Sequence, residues 1–459
     1  MSDLPATRGK PRRHWLRSLG PGILLAATSV GASHILMSPE AGARFEYRLV
    51  WLVLLVHVLK YPAFAFAPRY VAARGESLLE AYARAPGPRH WALWMGLADM
   101  TLQAAGVLAA LLGLTASFLV VTIGVLSLPA WSGVLALLVL ALLAWGRYGG
   151  LRWVNLGLMA LLAAGTLVAF AAAAPPLAEV PRFVVPDLPA GSLILVAAIL
   201  GYMPTSIAVS IWQSLWALEH GRFRPGSAPR SLSERRALLS EGLADLRVGY
   251  GFSALLAVAF TCLGAALLAP RGLIPEGPEV AVTLSKIYTS VLGPWMEPVF
   301  LVMAFFALLS TVYASMDGFP RTFVATLQVL RRGSAPSTPS GDGQAPTGQS
   351  SQSAEQGSQS TEKGSERLYW TFLLVVTVAG MVLLASVPDP PYVIKIVGAA
   401  GLLLSPFYYS LNLWAVTRGI DDPELRPGRG IIALSLLGIL TLVLTAGLLV
   451  YTLFMPAGG

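Results

Sequence analysis

Eleven apolar runs, each long enough to cross a bilayer, divide this sequence, and no other feature restricts its fold so tightly. At about 1.5 Å per residue, a helix needs about 20 residues to span a hydrocarbon core of about 30 Å. The runs lie near residues 20–44, 47–70, 91–124, 130–146 and 151–174, then 191–218, 246–269, 282–316, 367–386, 391–416 and 429–454. Charge is scarce to match: 12% of the 459 residues are charged and 55% are hydrophobic. A soluble domain carries about 25% charged residues, so a soluble multidomain enzyme is excluded, as is disorder over most of the length. The single cysteine, Cys262, excludes a disulfide framework and a thiolate metal cluster.

A formal net charge of +8 raises the question of a nucleic-acid partner. The siting of the charges answers it. Of the 32 Lys and Arg residues, 25 fall before residue 20 or within 69–89, 147–152, 222–247, 321–367 and 418–429, which are alternate loops. That is the positive-inside pattern, and it predicts a multi-pass protein of a plasma or bacterial inner membrane with a cytoplasmic N-terminus. No nucleic acid is expected; contact with anionic lipid is. Residues 1–19 read as a basic cytoplasmic tail. The basic stretch Arg8–Arg17 before an apolar run looks like a secretory signal, but the apolar pattern continues through Ile35–Met37, so cleavage is not expected. Residues 333–366, rich in Ser, Gln, Gly and Pro, read as a disordered cytoplasmic linker within the domain 20–459.

Two runs are interrupted near their middles. The first carries Gly31-Ala32-Ser33-His34, followed by Met37-Ser38-Pro39-Glu40; the sixth carries Gly201-Tyr202-Met203-Pro204-Thr205-Ser206. A helix broken inside a membrane leaves unpaired N–H and C=O groups, tolerated only where they line a cavity or are buried in protein. Matching breaks in spans one and six are the signature of an inverted-repeat secondary transporter with substrate held at the midplane. The expected fold is therefore all-α, with repeats over about 20–174 and 191–416 and an extra helix at 429–454.

The stretch Gly20-Pro21-Gly22-Ile23-Leu24, the break at 31–34, Ala41-Gly42-Ala43, the loop Gly75-Glu76-Ser77-Leu78-Leu79-Glu80, the Met203-Pro204 break and Ser310-Thr311 together resemble the Nramp family. The resemblance implies a LeuT-type fold of five plus five inverted helices with an eleventh helix, and divalent-metal transport coupled to protons. It also marks departures. The family's Asp-Pro-Gly-Asn is here Gly31-Ala32-Ser33-His34, and its Met-Pro-His is Met203-Pro204-Thr205. Of three acidic positions in the family's third span, Asp99 stands at the first, while Gly106 and Ala109 replace the others.

Two readings of the site follow. A divalent ion leaving water normally needs a carboxylate; without one at position 31, the His34 imidazole and Met203 thioether suit softer transition metals. Backbone carbonyls such as those of Gly31 and Leu200 would complete the shell, with Ser33, Tyr202 and Thr205 beside it. The second reading takes the loss of acids, together with His57 and Lys60 on one face of the second span, to favour a small anionic or neutral solute. Glu40, His57, Lys60, Asp99 and Gln213 are candidates for coupling or gating. No resident cofactor is expected. The sequence holds no His-Glu-x-x-His or Gly-x-Ser-x-Gly motif, and no enzymatic activity is expected. A non-transporting sensor on the same fold stays open.

Overall fold

The computed structural model describes residues 31–146, 148–219, 231–277, 279–332 and 348–454, and every regular element among them is helical. The basic tail and the first eleven residues of the first expected span lie outside the described residues. From Ala32 the chain is already helical, with a π-helical turn at Ser33–Met37 running straight into α1 (Ser38–Phe45). The expected break at 31–34 is thus, in its described part, a bend at Gly31 followed by a widened turn. The freed carbonyl of Ser33 is met by the Ser38 amide in the wider ring, so little backbone is left unpaired.

Ser33–Arg74 forms one apolar stretch of 42 residues, about 63 Å if straight, twice what a bilayer needs. Glu46, with φ of 52°, turns the chain back, and α2 (Val50–Arg74) returns across. After α3 (Leu78–Ala83), whose start is fixed by the reciprocal Ser77–Glu80 capping box, come α4 (Trp91–Thr122), α5 (Leu128–Trp145) and α6 (Tyr148–Ala172).

The second repeat begins with the broken pair α7 (Leu193–Tyr202) and α8 (Val209–Glu219). Pro204 explains the break. It has no amide proton to donate, and it pushes Met203 out of the helical region to φ −104°, ψ 134°. Then follow α9 (Leu232–Leu263), α10 (Val280–Leu292), α11 (Met296–Arg332), α12 (Gly348–Ser386), α13 (Pro390–Arg418) and α14 (Arg429–Phe454).

Three expectations need correction. The run 282–316 is two helices, because Gly293 (φ 96°) and Pro294 separate the short α10 from α11, which continues to Arg332. The run 246–269 starts earlier, where the Ser231–Glu234 capping box opens α9 at Leu232. The expected linker is helical from Gly348 onward, since extending a helix already nucleated by a packed span costs little per residue; residues 333–347 lie outside the described residues.

The most extensive packing joins α13 to α7, α11 to α4, and α9 to α2. Two seams are backbone on backbone. A β-carbon on Gly42 would lie 1.9 Å from the Thr261 carbonyl oxygen, and one on Gly264 2.2 Å from that of Pro39, which clamps α1 to the end of α9. On the other side, a β-carbon on Gly201 would lie 2.0 Å from the Gly398 carbonyl, which clamps α7 to α13. α14 turns Leu436, Leu437, Leu440 and Leu444 outward, an apolar face fit for lipid.

A candidate substrate cavity at the helix break

Where α7 ends, a cavity of about 80 Å³ opens between α4, α8, α11 and α13. Ser33 and Thr205 reach it from the two interrupted segments. Met37, Leu111 and Ile394 close one end, and Trp212, Phe319 and Thr322 line the other.

Asp99 is the one carboxylate among the described residues of the cavity wall. It is buried, accepts a hydrogen bond from the Tyr408 hydroxyl at 2.7 Å and another from the Gln103 amide, and Gln103 in turn accepts from the Tyr202 hydroxyl at 3.0 Å. No Lys or Arg among the described residues pairs with Asp99. Two neutral donors, Gln103 of α4 and Tyr408 of α13, therefore hold the Asp99 carboxyl in place, with Tyr202 of α7 bracing Gln103, while Ser33, Thr205, Thr311, Ser315, Met37 and Met100 also line the cavity.

His34 stands behind this wall. Its Nε2 lies 3.0 Å from the Ser253 carbonyl oxygen and 2.9 Å from the Ser253 hydroxyl. Its Nδ1 lies 2.9 Å from Ser33 Oγ, and Ser33 Oγ lies 3.2 Å from the Pro204 carbonyl. The imidazole thus steadies the contact between the two interrupted segments, and neither nitrogen is aimed into the cavity. Met203 is fully buried and also absent from the cavity wall. His34 and Met203 are therefore not brought together there, and no group of three or more His, Cys, Asp or Glu among the described residues is placed to hold a metal.

The remaining candidates separate. Lys60, 1% exposed, donates to the carbonyls of Leu200 (3.1 Å), Gly201 (3.1 Å) and Thr205 (2.8 Å). The Leu200 carbonyl is thus taken by the Lys60 side chain. His57 donates from Nδ1 to the Val53 carbonyl at 2.7 Å, with its ring edge-on to His34 at 6.2 Å. Gln213 is buried on α8 away from the cavity. Glu40, expected at an entrance, is buried in a seal: its Oε1 accepts from Arg44 at 2.8 Å and from Lys395 of α13 at 2.7 Å. Gly31 packs against Thr311.

A family model described as Nramp, natural resistance-associated macrophage protein-like, matches residues 22–318, well over half of the chain. The chain belongs to the Nramp family. An uncharacterised protein of Pasteurella multocida is 29% identical over 332 residues, covering 70% of this chain and 73% of that protein. The divalent metal cation transporter MntH of Yersinia pestis is 28% identical over 190 residues, covering 41% of this chain and 46% of the transporter, less than half its length. The crystal structure of the manganese transporter of Eremococcus coleocola superposes with a TM-score of 0.65 at 14% identity, covering 100% of this chain and 93% of that one. This Nramp protein is accordingly a multi-pass membrane protein with the LeuT-type fold.

Within that fold, Asp99, Ser33, Tyr202 and Thr205 are the expected residues that meet at the cavity. Gln103, Tyr408 and Ser315 were missed. Gln103 carried a signal, standing four residues after Asp99 and so on its helix face. Tyr408 carried none, because its nearness to Asp99 comes from the packing of α13.

Proposed function

We propose that this Nramp protein is a secondary transporter that carries a cation, foremost a divalent transition-metal ion, past Asp99 by alternating access. The carrying observation is the buried Asp99 carboxylate, held by Tyr408 and Gln103, facing the cavity without a basic partner among the described residues. An anion so placed lowers the desolvation cost of a cation entering from water, and the thioethers of Met37 and Met100 favour a transition metal over Mg²⁺ or Ca²⁺. Kinship with MntH supports the same class of ion. His34 serves this site indirectly, by holding Ser33 against Pro204.

The Glu40–Arg44–Lys395 cluster and the glycine seams close one side, while the cavity reaches toward Trp212, Phe319 and Thr322 on the other. With the N-terminus cytoplasmic, as the basic residues suggest, the Trp212 end of the cavity is the cytoplasmic one. Asp99 is the one acid among the described residues of the cavity wall open both to ion and to proton, so the two compete for it.

A second reading has one observation in its favour: Val107, Leu111, Val209, Ile211, Trp212 and Phe319 make much of the wall apolar, which suits a small organic solute better than a bare ion. Flux into proteoliposomes separates the readings. The metal reading predicts Mn²⁺ or Zn²⁺ uptake that Asp99→Asn abolishes. Uptake of an uncharged or anionic solute with indifference to metal would overturn it, and metal binding without flux would mark a sensor.

A further inference from the structure

Lys60 sits in the middle of α2 with its side chain inside the protein, and among the described residues its hydrogen-bond partners are three carbonyl oxygens. Carbonyls can only accept, so giving each of the three acceptors, at 2.8–3.1 Å, a hydrogen of its own takes three N–H groups. An ammonium has three and a neutral amine two. Two of the acceptors, Leu200 and Gly201, belong to the last turn of α7, where Pro204 prevents the next amides from continuing the helix. Such carbonyls form the negative end of the helix dipole. The third, Thr205, lies beyond the break, so the three oxygens converge on one point from both sides of it. Among the described residues no carboxylate pairs with Lys60.

We infer that the carbonyls of Leu200, Gly201 and Thr205 form a monovalent-cation site whose permanent occupant is the Lys60 ammonium. The cation is supplied by α2, so the break is held shut electrostatically whatever the substrate. It follows that these carbonyls are not ligands of the transported species, whose charge must be met on the Asp99 side of the segment. Thr205 joins the two, with its carbonyl on Lys60 and its residue on the cavity wall. Lys60 is a positioning residue: it acts on the cavity through Thr205.

The inference is independent of what is transported, and thermal unfolding of the purified protein tests it without any flux assay. Lys60→Ala removes three methylenes and the ammonium, a volume that propylammonium fits. The variant should lose several degrees in Tm, regain most of that loss with propylammonium, and gain nothing from propanol or tetramethylammonium, which lack either the charge or the N–H donors. Lys60→Met, which keeps the length but not the charge, should be equally destabilised and not rescued. Parent-like stability of Lys60→Met, or equal rescue by propanol, would overturn the inference. Should neither variant fold, proton-coupled ¹⁵N spectra of lysine-labelled parent protein decide it: three protons on the Lys60 nitrogen are expected, and two would contradict it.

Discussion

Gly31 lies so close to Thr311 that a β-carbon on it would stand 2.5 Å from the threonine hydroxyl oxygen and 3.0 Å from its methyl. Where the Nramp resemblance places an aspartate, this protein has closed the space from the opposite helix, α11. Restoring the acid alone should therefore fail: Gly31→Asp is expected to cost about 1–3 kcal/mol by overpacking, read as a lower Tm. Adding Thr311→Ala leaves the β-carbon at 3.2 Å as the nearest remaining contact. The double variant should recover its fold and bind Mn²⁺ at least about tenfold more tightly, equivalent to about 1.4 kcal/mol. A single Gly31→Asp variant as stable as the parent would show that Thr311 does not set this residue.

The seal around Glu40 makes a second prediction. Glu40 bridges α1 and α13 through Lys395 at 2.7 Å, with Arg44 at 2.8 Å on the same oxygen. Removing one member of a buried pair leaves the other charge uncompensated. Glu40→Gln should therefore favour opening on that side. With Cys262 replaced by alanine, a cysteine at Met37 reports it: impermeant maleimide applied from the Glu40 side should react at least about tenfold faster in Glu40→Gln. Equal rates would mean that the glycine seams alone hold the closure.

Those seams are themselves testable. Gly42→Ala and Gly201→Ala would each drive a methyl into a backbone carbonyl, at 1.9 and 2.0 Å, that cannot turn aside. Each should cost at least about 1–3 kcal/mol. Gly251→Ala in α9 meets nothing within 4 Å and should be neutral or gain up to about 1 kcal/mol from helix propensity. Thermal unfolding of the three variants side by side gives the ranking, and a stable Gly201→Ala would refute the α7–α13 contact.

Competition at Asp99 has a pH signature. A single carboxylate serving ion and proton binds metal less tightly as protons compete for it, so Mn²⁺ affinity should fall on acidification, and Asp99→Asn should lose that dependence. Titrations across a pH series measure both. Affinity that rises on acidification would argue for a proton bound elsewhere and carried together with the ion.

The break in the sixth span was legible because Gly201, Pro204, Thr205 and Ser206 coincide there; a proline alone does not end a helix here, since Pro62 and Pro68, Pro320 and Pro406 lie inside α2, α11 and α13. The first interruption was less so. Gly31 to His34 look permissive in sequence, yet from Ser33 the backbone answers with a π turn. Asp99 could be singled out as an acid inside an apolar run, and its role as the anion of the cavity was within reach. The direction of His34 was not. A histidine beside a break reads equally as a ligand or as a bracket, and the contacts with Ser253, 219 residues away, favour the bracket. Lys60 was legible as an anomaly, a charge in the middle of a span, but its three acceptors lie at least 140 residues further on.

Calorimetric titration of the purified protein with Mn²⁺, comparing Asp99→Asn with His34→Gln, tests the central claim most directly. Asparagine keeps the shape at position 99 without the charge, and glutamine keeps a donor for the Ser253 carbonyl. Loss of at least about tenfold in affinity for Asp99→Asn, with His34→Gln within about threefold of the parent, is the predicted result. Mn²⁺ affinity that survives Asp99→Asn and collapses in a folded His34→Gln variant would contradict it, and would move the metal from the cavity wall to the imidazole behind it.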